Sequence, residues 1–357
     1  MTSGDPREPT GSAAGAAGID TSTAADDDAL ALQERLLAGV SVTFARTIPQ
    51  LPRPLRAAMT NFYMLLKVAD VIEDSPVLDP ERKRRLLGQY VEVVEGHARP
   101  EAFTHALLPA ISEGATVAEL DLVASTGTLL AITNSLGDPS RNAIKRCARV
   151  TSGAMAEFCD TGSNGLASMG ELDRYCYLTS GVAGETITDL LCDYSIAIAA
   201  RREPLYDLSR DFGRAVQLVN ILRDRWEDRE RGVCWLPRDV FGGPDPLSDV
   251  TAREFQRGIV GLTRLSRRYL AAALDFTLMI PRHETGVRRF LLWSLGWMLV
   301  VAKRIAANPG FRSVDEVQVR RDVRAVVAAS SLAVRSDRAL RWMFDVAARS
   351  LRSPHES

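Results

Sequence analysis

Gln217-Leu-Val-Asn220-Ile-Leu-Arg223-Asp224-Arg-Trp-Glu227-Asp228 lies inside a run, residues 205–230, that contains no proline. Asp224, Glu227 and Asp228 stand at i, i+3 and i+4, which places them on one face of an α-helix. Gln217 and Asn220 carry that face backward, and Arg231 carries it forward by two turns. The flanking residues Phe212, Val216, Val219, Ile221 and Leu222 are apolar. A polar stripe on an otherwise apolar helix looks either into a wet cavity or out to solvent. The same spacing occurs once more, in Asp70-Val71-Ile72-Glu73-Asp74. Here Met59, Tyr63 and Leu66 precede the acids at helical spacing, so the carboxylates continue an apolar stripe. Such carboxylates are costly to bury unless a cation neutralises them. Lys67, three residues before Asp70, supplies one cation.

Helical signals prevail elsewhere. Leu30, Leu32, Leu36 and Leu37 predict an amphipathic helix, and Pro54 suits a first helical turn. Ser168 with Glu171, and Thr251 with Glu254, read as capping boxes. Period-two alternation is scarce and no Asn-Gly or Asp-Gly hairpin signal occurs, so the fold class is all-α. Residues 1–28, rich in Ser, Thr, Gly and Ala, read as a disordered tail, residues 29–345 as one helical domain, and residues 346–357 as a polar C-terminal tail. The Gly- and Pro-rich segment from Arg231 to Pro246 reads as a functional loop, because it follows the acidic motif directly.

The composition narrows the function. The chain has 357 residues and a formal net charge of −1, with 44 Lys and Arg against 45 Asp and Glu. No net positive field draws in nucleic acid, so a nucleic-acid partner is not expected. The five cysteines include no CxxC spacing, which argues against a disulfide framework or zinc and for a reducing, cytoplasmic setting. The longest apolar run, Phe290 to Ala302, is shorter than the roughly 20 residues a bilayer span needs and predicts a buried helix. A lone DxxED is ordinarily a solvated face. Two of them, one continuing an apolar stripe and one preceded by Gln and Asn in register, point to chemistry. Carboxylate oxygens suit Mg²⁺, which is commonly shared with substrate phosphates. Lys and Arg would take the remaining phosphate oxygens. No Walker-type or GxGxxG loop offers a competing nucleotide site.

The segment from Gln217 to Asp228, with Arg231-Gly232 and Trp235-Leu236-Pro237 after it, resembles the second aspartate-rich motif of squalene and phytoene synthases. Phe62-Tyr63-Met-Leu-Leu-Lys67-Val-Ala-Asp70-Val-Ile-Glu73-Asp74 resembles their first. Ser41-Val42-Thr43-Phe44 is similar to the N-terminal Ser-Arg-Ser-Phe element. Gly153-Ala-Met155-Ala156-Glu157-Phe158 and the block from Asp173 through Tyr175 and Thr179 to Gly184 are similar to the central region, closer to the squalene branch. The resemblance implies a single isoprenoid-synthase-type helical domain around a central cavity. It implies Mg²⁺-dependent, head-to-head joining of two prenyl diphosphates, most naturally farnesyl diphosphate, through a cyclopropylcarbinyl diphosphate to squalene or a related triterpene. It leaves NADPH use open. By position it implies metal at Asp70, Glu73, Asp74, Asn220, Asp224, Glu227 and Asp228, and diphosphate at Lys67, Arg223, Arg231, Gln217 and Ser41. The prenyl pocket would include Phe44, Thr179 and Ala183, and Tyr175 would handle protons and stabilise cations, making Tyr175, Asp70 and Asp224 the catalytic set.

The same alignment exposes departures. Val42 and Val233 stand where the family usually has arginine, Lys67 replaces another arginine, and Trp235 replaces Tyr or Phe. Two cations are lost, which keeps open a repurposed member that cyclises one prenyl diphosphate or couples C20 chains, and a non-catalytic scaffold. Small residues such as Thr179, Gly181 and Ala183 fit room for a prenyl chain and close helix packing equally. The sequence leaves the oligomeric state undefined. It predicts no transmembrane segment, with peripheral membrane contact left open because the product would be a lipid.

Overall fold

The computed structural model describes residues 24–242 and 245–351, with the side chains of residues 24–27 and 320–323 excepted. The expected disordered tail lies outside the described residues up to position 23, as do positions 352–357 of the expected C-terminal tail. Eleven helices carry the architecture: α1 (Ala24–Val40), α2 (Arg53–Glu73), α3 (Pro80–Glu95), α4 (Asp138–Phe158), α5 (Met169–Cys176), α6 (Val182–Tyr194), α7 (Arg202–Glu230), α8 (Arg253–Met279), α9 (Thr285–Ala307), α10 (Arg320–Leu332) and α11 (Asp337–Ala347). Among the described residues the only β pairing is an isolated bridge between Leu166 and Pro237. The all-α expectation holds.

The two acidic motifs end two of the long helices. Helix α2 starts after the extended Pro52, with Pro54 in its first turn, and closes at Asp74. It buries Leu55, Met59, Phe62, Leu65, Val68 and Ile72, packing against α1, α4 and α6. Tyr90 of α3 donates to the Leu65 carbonyl at 2.6 Å, tying α3 to α2. Helix α7 is clamped between α6 and α8 and also touches α9. Its close approach to the α6 side rests on glycine. A Cβ on Gly213 would come within 1.9 Å of the Ser180 carbonyl oxygen, and one on Gly184 within 2.1 Å of the Ser209 carbonyl oxygen. Small residues here therefore serve two ends: Gly184 and Gly213 allow close helix contact, and together with Thr179 and Ala183 they line the cavity.

Beyond α7 the chain turns at Gly232, whose φ of 79° only glycine adopts freely. The Val233 amide donates back to the Asp228 carbonyl at 2.9 Å, a Schellman closure. The loop then clips onto the segment before α5 through Cys234 N to Gly162 O (2.8 Å) and Arg238 N to Leu166 O (2.8 Å). The loop read from the sequence thus holds a fixed course, with Gly243 and Pro244 outside the described residues. Two capping expectations are revised. Ser168 accepts from the Glu171 amide, but the Glu171 carboxylate takes the Ala167 amide, leaving half a box. Helix α8 begins after Ala252 without a side-chain cap, because Thr251 is engaged by Asp249. The apolar run around Phe290 belongs to α9, a 23-residue helix long and apolar enough to cross a membrane, yet 67% of its most apolar window is buried inside the protein. That burial marks it as a core helix here.

Candidate active site

A cavity of about 570 Å³ opens between the C-terminal ends of α2 and α7. This is a common size for a small-molecule site. Its inner wall is apolar, from Ile48, Met59, Phe62, Phe212, Phe276 and Phe290, and its mouth carries all six carboxylates of the two motifs. Every candidate of the sequence reading, from Ser41 and Phe44 to Arg231, lines this one cavity. The polar face of α7 therefore looks inward.

The mouth is electrostatically strained. Both acidic clusters sit on helix C-terminal turns, where the helix dipole also disfavours negative charge. Burial, then Lys67 in opposition and Asp74 in support, leave Asp70 with a pKa raised to about 6. Burial, then Asp74 and Asp70, push Glu73 to about 8. Burial, against the pull of Arg231 but with Asp224, pushes Asp228 to about 7, and burial with Asp224 raises Glu227 as well. Cations offset part of this. Lys67 Nζ lies 3.7 Å from Asp70 and 3.9 Å from Asp74. Arg231 bridges the two clusters, at 3.1 Å from Asp74 and 2.6 Å from Asp228. Arg223 gives Asp224 two hydrogen bonds of 2.5 Å and lies over the Trp297 ring. Burial opposes the charge of Lys67, but Asp70 and Asp74 outweigh it and raise its pKa.

The donor set suits a hard divalent cation: crowded carboxylate oxygens whose repulsion such an ion relieves, beside the amide of Asn220. In the described side-chain arrangement no three acids converge at ligating distance. Lys67, Arg223 and Arg231 hold them instead, so side-chain rotation would have to precede metal binding.

Tyr175 sits where mouth meets pocket. Its hydroxyl donates to Glu73 Oε1 at 3.0 Å. Its ring stacks on Trp235 at 4.1 Å and meets Phe158 edge-on at 5.2 Å. The clipped loop after α7 delivers that tryptophan. Burial and the facing Glu73 raise the Tyr175 pKa well above the usual phenol value. Thr179 donates to the Tyr175 carbonyl at 2.8 Å from a π-helical turn, Tyr177–Gly181, between α5 and α6. Gln217 accepts from Ser180 at 2.7 Å. Ser41 accepts from the Phe44 amide at 3.2 Å, and Phe44 packs on Tyr63 with ring centroids 4.3 Å apart. Val42 is 70% exposed at the rim, bringing no charge where an arginine was expected.

Sequence reasoning passed over three residues. Lys83, on the first turn of α3, lines the mouth and donates to the Glu73 carbonyl at 2.5 Å. The basic run from Arg82 to Arg85 was the available signal. Arg225 and Trp226, inside the second motif, point away from the cavity. Arg225 lies 3.6 Å from the Phe311 ring centroid and donates to the carbonyls of Pro309 and Phe311 at 2.8 and 2.9 Å. Trp226 Nε1 donates to the same Phe311 carbonyl at 2.6 Å. Anchored on that side, α7 turns its acids toward the cavity.

A family model for squalene/phytoene synthase matches residues 37–325. The chain belongs to the squalene/phytoene synthase family. Its similarity to curated squalene synthases is distant: 25% identity to that of Eremothecium gossypii over 58% of this chain and 46% of the relative. For the squalene synthase ERG9 of Saccharomyces cerevisiae the identity is 25%, over 71% of this chain and 56% of the relative. The chain spans about half the length of the curated relatives it matches. The fold is similar to that in a complex of TcSQS with the ligand E5700, with a TM-score of 0.72 and 17% identity over 93% of this chain and 94% of that one. The squalene/phytoene synthase motifs recognised in the sequence are thus brought onto one cavity, and the squalene-branch resemblance agrees with these relatives.

Proposed function

We propose that this protein joins two molecules of a prenyl diphosphate, farnesyl diphosphate in the first instance, head to head in a Mg²⁺-dependent reaction. The route runs through a cyclopropylcarbinyl diphosphate to squalene or a related linear triterpene, with release of diphosphate. The observation that carries this reading is the facing of two acidic helix ends across the mouth of an apolar cavity. The ionic end fits a diphosphate and the apolar end fits its hydrocarbon chain.

Asp70, Glu73, Asp74, Asn220, Asp224, Glu227 and Asp228 would hold the metal. When bound, Mg²⁺ neutralises charge that develops on a departing diphosphate. The chain's own residues do the rest. Lys67, Arg223 and Arg231 exchange carboxylate partners for phosphate oxygens, with Ser41 and Gln217 beside them. Phe44, Thr179 and Ala183 bound the prenyl chain, and the apolar wall keeps water from an allylic cation. Tyr175 offers that cation a π face backed by Trp235. The Tyr175 hydroxyl, which donates to Glu73, would take the proton lost on ring closure on its oxygen while passing its own proton to the Glu73 carboxylate, so that it stays a neutral phenol. A lipid product makes peripheral membrane contact part of this proposal.

The test is incubation of the protein with farnesyl diphosphate and Mg²⁺, with and without NADPH, followed by gas chromatography–mass spectrometry and assay of released diphosphate. Squalene formed only with NADPH is the expected outcome for the full reaction. A cyclopropyl diphosphate or C30 polyene would make it a non-reductive coupler, and a C15 hydrocarbon a cyclase. No diphosphate release with C15 or C20 substrates would overturn the enzymatic reading in favour of a scaffold.

A further inference from the structure

Four cationic side chains line the mouth, Lys67, Lys83, Arg223 and Arg231, against six carboxylates. Three of the four are committed to carboxylates: Lys67 to Asp70 and Asp74, Arg223 to Asp224, and Arg231 to Asp74 and Asp228. Lys83 differs. Its partner is a neutral acceptor, the Glu73 backbone carbonyl at 2.5 Å. Among the described residues no carboxylate lies within ion-pair distance of its Nζ. An ammonium bonded to one carbonyl keeps two N–H donors free for an anion. Its position is built: Asp79 caps α3 by accepting from the Arg82 amide at 2.8 Å, and Tyr90 fastens the same helix to α2. Recruiting any of the other three cations to an anion strips a carboxylate of its partner, whereas recruiting Lys83 gives up one bond to a carbonyl. Val42 and Val233, on the same cavity, add no charge.

We propose that Lys83 is the cation that first receives the diphosphate of an incoming substrate, moving from the Glu73 carbonyl to a phosphate oxygen at the cavity mouth. This rests on the prenyl diphosphate reading above and assigns the anion contact that two valines at this mouth cannot make. Release of the Glu73 carbonyl then accompanies ligand entry, so Lys83 links diphosphate arrival to the last turn of α2, where the first acidic cluster sits.

The experiment is calorimetric titration of the full chain with inorganic diphosphate in the presence of Mg²⁺, using wild type, Lys83→Gln and Lys83→Arg, with thermal melting run alongside. Glutamine retains an N–H for the Glu73 carbonyl and drops the charge, so it separates helix capping from anion binding. A folded Lys83→Gln should bind diphosphate about tenfold more weakly, and Lys83→Arg should stay within about threefold of wild type. Equal binding by Lys83→Gln and wild type would overturn the proposal and leave Lys83 as a helix cap. Should glutamine loosen the fold, the arginine variant decides: retained binding supports the charge role, and tenfold weaker binding by a folded Lys83→Arg overturns it. Absence of binding by wild type itself would bring down the diphosphate reading as a whole, a result distinct from a failure of Lys83 alone.

Discussion

Asp224 accepts two hydrogen bonds from Arg223 and is half-buried in the cavity mouth, whereas Asp70 carries a pKa raised to about 6 by burial, eased by Lys67. Replacing either by asparagine keeps the shape and removes a charge from a crowded set. We expect Asp70→Asn and Asp224→Asn each to lower turnover by about 10²- to 10³-fold, the range for losing one preorganised electrostatic group. Melting of the metal-free protein should hold, because charge repulsion falls. Full activity in either variant would remove that residue from the metal assignment. Val233 makes a second residue-scale case. It lines the cavity where an arginine was expected, and its backbone is fixed by the Gly232 turn. If missing cations limit the second ionisation, Val233→Arg should raise the rate at which isolated cyclopropylcarbinyl diphosphate is consumed. An unchanged rate would mean that another cation already meets the need.

Helix α7 meets the π-helical turn leading into α6 where a Cβ on Gly213 would lie 1.9 Å from the Ser180 backbone oxygen and 2.4 Å from its carbon. Backbone cannot yield as a side-chain tip can, so Gly213→Ala must part the helices at a cost of about 1–3 kcal/mol. Gly153 lies exposed in the middle of α4 with nothing within 4 Å of such a Cβ. Gly153→Ala should therefore stabilise by about 0.4–1 kcal/mol. Denaturant titration of both variants checks the pair, and similar effects of equal sign would refute the packing account. This element scale also explains what the sequence disclosed. Periodicity placed Asp70, Glu73 and Asp74, and Gln217 through Arg231, each on one face, because a helix repeats every 3.6 residues. It could not show that the two faces meet, since that depends on α6 and α8 clamping α7. Nor could it show that Arg225 and Trp226 turn outward to the carbonyls after Asn308, a contact across more than 80 residues. Lys83 escaped for the same reason: its partner is a backbone carbonyl, to which residue types give no clue.

At the scale of the whole molecule, folding gathers the carboxylates of α2 and α7 into one cavity mouth, and the sign of the resulting pH dependence follows. Asp70, Glu73 and Asp228 have folded-state pKa values of about 6, 8 and 7, above the ordinary 3.8, 4.5 and 3.8, with burial the largest cause in each. The folded state thus holds protons more tightly than the unfolded chain. The stability these groups contribute is complete below their unfolded pKa values, near 4, and is lost as pH rises through roughly 6 to 8. Some groups oppose this: burial would raise the Glu185 pKa, but Arg210 and Arg146 outweigh it and lower it, so Glu185 loses its contribution as pH falls, and Arg225 and Lys83, whose pKa values burial lowers, gain stability as pH rises. Metal-free protein should therefore melt at a lower temperature near pH 8.5 than near pH 5.5. A divalent cation binds the deprotonated carboxylates, so binding competes with protons. The rise in melting temperature on adding Mg²⁺ with inorganic diphosphate should accordingly be larger near pH 8.5 than near pH 5.5. Paired thermal scans with chelator and with Mg²⁺–diphosphate at both pH values measure both effects. An identical shift at the two pH values would mean that the raised carboxylates are not the groups that meet the metal, and the acidic mouth would then have to be read as a salt-bridged seam between α2 and α7.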